Sequence, residues 1–89
     1  MKRYFIIVDG RVQGVGFRYF CLTQARLYGL TGWVQNQSNG TVALEVQGPE
    51  ENIQAFLKTL RKGNTFIRID DYQMKAIALE EDSDFKIYA

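Results

Sequence analysis

The chain has 89 residues, 46% of them hydrophobic and 24% charged, which suits one compact domain over residues 1–89 with a modest core. Eleven basic residues against ten acidic ones give a net charge of +1, so the overall balance points to neither nucleic acid nor a membrane surface, and any anion binding has to be local. The absence of histidine removes the commonest general base and the usual zinc ligand, and the single cysteine, Cys21, excludes an intrachain disulfide.

The opening M-K-R-Y-F-I-I-V-D-G has the basic start of a signal peptide, but its apolar run stops at Asp9, too short for an h-region. With the sparse cysteine usage, the expectation is a cytoplasmic protein; a monomer is the expected state. Arg3 to Val8 is rich in aromatic and β-branched residues and predicts a first strand buried on both faces. Phe17, Phe20, Cys21, Ala25 and Tyr28 recur at helical spacing, so a helix begins near Arg18 and ends at the capping glycine Gly29. Gly32–Gln37 and Thr41–Gln47 form a hairpin around Ser38-Asn39-Gly40, because Asn-Gly favours tight strand reversal. Alternation of Val42, Leu44 and Val46 with Ala43, Glu45 and Gln47 predicts one buried and one wetter face.

Pro49 then opens a second helix. Glu50 and Glu51 suit the positive end of its dipole, Ile53, Phe56, Leu57 and Leu60 form its apolar stripe, and Arg61, Lys62 and Gly63 close it. Phe66–Leu79 predicts a further strand, in two segments around Asp70-Asp71, and Phe85–Tyr88 a short last one. The order strand, helix, strand, strand, helix, strand is that of an α+β, ferredoxin-like split βαβ sandwich: an antiparallel sheet with two helices on one face, extended by a short C-terminal strand. Such a fold serves many activities, so function has to come from the site.

The candidate site is the run G-R-V-Q-G-V-G-F-R from Gly10 to Arg18, where a strand passes through glycines into a helix. Glycines let successive N–H groups converge on one oxyanion, the helix N-terminus adds its positive end, and Arg18 supplies a planar fork matched to phosphate. Glu80-Glu81-Asp82-Ser83-Asp84 lacks EF-hand spacing and is expected to be a solvated loop, and no metal is called for. Cys21, among apolar neighbours with no histidine to activate it, is expected to be inert. Trp33 and Phe17 suit the core or the support of the loop better than a platform for substrate.

Three blocks carry a close resemblance to the acylphosphatase family across nearly the whole chain: Gly10–Arg18, then G-L-T-G-W-V-Q-N-Q-S-N-G-T-V from Gly29 to Val42, and Q-G-P-E-E from Gln47 to Glu51. The resemblance implies a cofactor-free, metal-independent enzyme that hydrolyses small acyl phosphates to a carboxylate and inorganic phosphate. It also implies that Arg18 binds the phosphate and Asn36 orients the attacking water. The loop residues Gln13, Gly14, Val15, Gly16 and Phe17 are then the substrate-binding set. An acyl phosphate is a mixed anhydride with a stable carboxylate as leaving group, so charge neutralisation and water alignment suffice without a strong general acid. Asn36 both donates and accepts, and grips a water without titrating.

Two positions depart from the family pattern. Gln35 stands where a basic residue is common, which removes a secondary attraction for substrate, and Asn64 follows Gly63 where proline is usual, which is expected to loosen the path into the next strand. A non-catalytic phosphate-binding module is the competing function. RNA binding through an RRM-like sheet is disfavoured, since no RNP1 pattern is present and V-G-F-R-Y-F falls at a helix start and not on a central strand.

Overall fold

A computed structural model describes residues 1–89. The elements are β1 (Lys2–Arg11), α1 (Phe17–Leu27), β2 (Thr31–Asn36), β3 (Val42–Gly48), α2 (Glu50–Lys62), β4 (Arg68–Ile77) and β5 (Phe85–Tyr88). They form one five-stranded sheet in the order β4-β1-β3-β2-β5. The first four strands pair antiparallel, as the ferredoxin-like order requires, and β5 joins the β2 edge in parallel, making the sheet mixed.

The core lies between one sheet face and the two helices. Ile6 and Val8 of β1, Val34 of β2 and Val42, Leu44 and Val46 of β3 meet Phe17, Cys21 and Ala25 of α1 and Ile53, Phe56, Leu57 and Leu60 of α2. The period-two spacing of the strands and the three-to-four spacing of the helices deliver these residues to a single layer.

Three expectations need correction. β1 is not buried on both faces: Ile6 and Val8 are buried whereas Phe5 and Ile7 are half-buried, because both helices cover the same side of the sheet. β3 has no wet face, since Ala43 and Gln47 are buried alongside Val42, Leu44 and Val46. β4 is one strand, not two. Its register against β1 moves from Asp9↔Asp71 to Gly10↔Ile69, so Asp70 is an extra, bulged residue. Gly10 permits this close approach, since a Cβ there would lie 2.3 Å from the Arg68 carbonyl oxygen. Asn64, after Gly63, bonds to its own turn: its Oδ1 accepts hydrogen bonds from the N–H of Phe66 at 2.8 Å and of Ile67 at 2.9 Å.

Candidate active site

The site is built where β1 has run out and α1 has not begun. Gly14 and Gly16 adopt φ of +73° and +79°, in the left-handed region that side chains disfavour, and Gly16 is the N-cap of α1. The N–H groups of Gln13, Gly14, Val15 and Gly16 donate to no protein acceptor. The start of α1 is equally bare, with no side-chain cap and no acidic residue in its first turn. A helix start with a basic second residue and no cap is an unfavourable arrangement until an anion occupies it.

Arg18 is half-buried and forms no ion pair; its single hydrogen bond runs from Nη1 to the carbonyl of Tyr88, at 3.4 Å. Its charge is therefore uncompensated by any carboxylate. Asn36, at the end of β2, brings its side chain to the same place, and its Oδ1 is buried without a hydrogen-bond partner. Buried amide oxygens are nearly always satisfied, so this orphan sets Asn36 apart from the other buried polar side chains of the molecule.

The cleft has a volume of about 240 Å³ and brings together Gly14, Gly16, Phe17, Arg18 and Asn36. Two of the expected loop residues face elsewhere. The Gln13 side chain donates from Nε2 to the carbonyls of Gln37 and Thr41, each at 2.8 Å, bracing the loop against the β2–β3 turn, and Val15 packs its side chain on the core. What these two offer the cleft is backbone, not side chain. The sequence reasoning missed Val12, Tyr19 and Ile87, which complete the lining. Tyr19 had a signal, an aromatic residue directly after Arg18. Ile87 had none, because only the parallel pairing of β5, with Ile87 beside Val34, carries it to the cleft.

Trp33 supports the site, as expected, from outside it. Its indole stacks on Tyr88 at 5.8 Å with planes 18° apart, holding the strand whose carbonyl Arg18 meets. Gln35, which replaces the commoner basic residue, donates to the Ala89 carbonyl at 2.9 Å, just beyond the end of the same strand. Cys21 lies 0% exposed in the core, where burial pushes its thiol far above the ordinary range. It is too distant from ionisation to act as a nucleophile.

A family model described as acylphosphatase matches residues 4–87. The chain belongs to the acylphosphatase family. An acylphosphatase of Clostridium acetobutylicum is 48% identical over 88 residues, spanning 98% of this chain and 97% of its relative. The crystal structure of an acylphosphatase from Bacillus subtilis superposes with a TM-score of 0.95 at 41% identity, each chain covered completely. That of an acylphosphatase from Coxiella burnetii reaches a TM-score of 0.91 at 32% identity, over 98% of this chain and 92% of the other. The chain is accordingly an enzyme, a hydrolase of the acylphosphatase family.

Proposed function

We propose that the protein acts as a monomer on small acyl phosphates, needing no metal ion, with Arg18 and the Gln13–Phe17 backbone as the phosphate site and Asn36 as the residue that orients water. The observation that carries this reading is the pairing of an unbalanced arginine with an orphaned buried amide oxygen across one cleft. The non-bridging phosphoryl oxygens accept hydrogen bonds from the loop N–H groups and from the Arg18 fork, which neutralises charge as it spreads in the transition state. The Asn36 amide, able both to donate and to accept, holds a water and fixes its lone pair toward phosphorus.

In the reacting step the water oxygen forms a bond to phosphorus and the bond from phosphorus to the bridging oxygen breaks, so the carboxylate leaves with the electron pair. The proton lost by the water passes to a phosphoryl oxygen. The substrate itself acts as base, consistent with a cleft whose titratable side chains are Arg18 and Tyr19, with no carboxylate, lysine or thiol among them. Val12, Tyr19 and Ile87 form the apolar side of the cleft, where the acyl group lies.

Hydrolysis of benzoyl phosphate in ¹⁸O-labelled water containing EDTA tests the chemistry. The expected result is full turnover with one label in each phosphate and none in benzoate. Label in benzoate would refute attack at phosphorus, and a folded protein that binds phosphate without turnover would restore the binding-module reading.

A further inference from the structure

The chemistry above leaves unused the most deeply buried cation in the molecule. Arg3, on β1, is 2% exposed and lies on the sheet face that carries no helix. Its Nε stands 2.8 Å from Glu45 Oε1 and 3.0 Å from Glu80 Oε2, and its Nη1 pairs with Asp82 and donates to Gln47 Oε1 at 3.3 Å. Burial works against the charge, but the hydrogen bonds and charges of Asp82 and Glu45 outweigh it, so the guanidinium holds its proton more firmly than usual.

These partners come from two places. Glu45 and Gln47 belong to the central strand β3, whereas Glu80 and Asp82 belong to the segment joining β4 to β5. The acidic run expected to be merely solvated is thus clasped to the sheet. Gln47 reinforces the clasp, donating from Nε2 to the Glu80 carbonyl at 2.8 Å and accepting from the Glu80 N–H at 2.9 Å. Three residues after Asp82, β5 begins.

β5 has four residues and pairs with β2 alone, at the sheet edge. A strand this short, bonded on one side, depends on its anchors for its position. It supplies Ile87 to the cleft and the Tyr88 carbonyl to Arg18. We infer that Arg3 is a positioning residue for substrate binding: its clasp on Glu80 and Asp82 sets the seat of β5 and, through Tyr88, the orientation of Arg18. This inference rests on the reading of the cleft as the phosphate site.

Trp33 is the only tryptophan and stacks on Tyr88, but it also lies opposite Glu45 and beside Phe5, so a change in its emission counts for the seating of β5 only when phosphate affinity and KM change with it. The test compares wild type, Arg3→Gln and Asp82→Asn, the last opening the clasp from its exposed side should Arg3→Gln fail to fold. In variants folded by circular dichroism, Trp33 emission is expected to change while the affinity for inorganic phosphate falls and KM for benzoyl phosphate rises. A change of roughly tenfold is expected, within the ~10²-fold that small misplacements of a site can cause. A lower melting temperature with wild-type Trp33 emission, phosphate affinity and KM would overturn the inference, leaving Arg3 a purely structural residue. Arg18→Ala serves as control. Phosphate binding lost there but kept in a folded Arg3→Gln or Asp82→Asn defeats the clasp alone, and a wild type that binds no phosphate defeats the site reading and the clasp with it.

Discussion

Arg18 and Asn36 face one cleft from different elements, Arg18 from the first turn of α1 and Asn36 from the last residue of β2. Neither is engaged by an oppositely charged or complementary side chain: Arg18 meets only a backbone carbonyl, and Asn36 Oδ1 meets nothing. The two elements that carry them are fixed by the core through Phe17 and Val34, so their separation is a property of the fold. The pair therefore offers two separate functions, a charge and an oriented neutral dipole, which substitution can take apart.

Arg18→Lys keeps the charge and loses the planar fork. Affinity for inorganic phosphate is expected to fall without vanishing, since an ammonium binds phosphate as a point charge and not bidentately. Isothermal titration checks this; equal affinity in the lysine variant would show that fork geometry is irrelevant.

Gly16→Ala isolates the loop's shape. A Cβ at Gly16 meets no atom within 4 Å, so the substitution acts through its φ of +79° alone. Left-handed backbone at alanine costs roughly 1–2 kcal/mol, to be seen as a lower melting temperature or as a loop that relaxes and binds phosphate less well. A variant with wild-type stability and KM would mean that the loop does not need this conformation.

Asp84 gives the acid limb of stability a local cause. Its carboxyl is held below the ordinary value by the Phe85 N–H first and by Arg26 second. A lowered folded-state value means that this stabilisation is complete above the ordinary aspartate pKa, near about 3.9, and fades as pH falls through the folded-state value. Asp84→Asn should flatten melting temperature against pH in that acid range and leave the slope near neutrality unchanged.

Cys21 acts at the opposite limb. Because burial raises its pKa, the folded thiol stays neutral while the unfolded one ionises near about pH 8.5, so its stabilisation is complete below that value and is lost as pH rises above it. At pH 8 a thiol reagent should label Cys21 only as fast as the protein unfolds, with the rate rising in denaturant. Rapid labelling of native protein would contradict the buried, inert thiol.

Most of the fold was legible because its signals are local. The Asn-Gly turn, the glycine that ends α1 and the apolar stripe of α2 each act within a few residues of chain. What escaped depends on residues distant in sequence. The bulge at Asp70 exists because Gly10 of a different strand lets the backbones approach, and Gln47 is buried because the segment around Glu80 folds over it. The site divides in the same way: Arg18, Asn36 and the glycines sit in short recognisable runs, whereas Ile87 and the Tyr88 carbonyl arrive through the parallel pairing of β5, which no spacing within residues 85–88 encodes. Asn64 shows a third limit. Its residue type alone showed no partner, and the two N–H groups that Asn64 Oδ1 accepts appear only in the fold.

The most direct test of the central claim is steady-state hydrolysis of benzoyl phosphate by wild type, Arg18→Ala and Asn36→Ala in EDTA, each with its inhibition by inorganic phosphate. Arg18→Ala is expected to lose at least ~10³-fold in kcat/KM together with phosphate inhibition, as for an arginine that binds and stabilises a transferring phosphoryl group. Asn36→Ala should lose about 10²–10³-fold in kcat, the scale of one positioned hydrogen-bonding group, while phosphate still inhibits. A folded Asn36→Ala enzyme turning over at the wild-type rate, or a folded Arg18→Ala enzyme still inhibited by phosphate at wild-type concentrations, would contradict it.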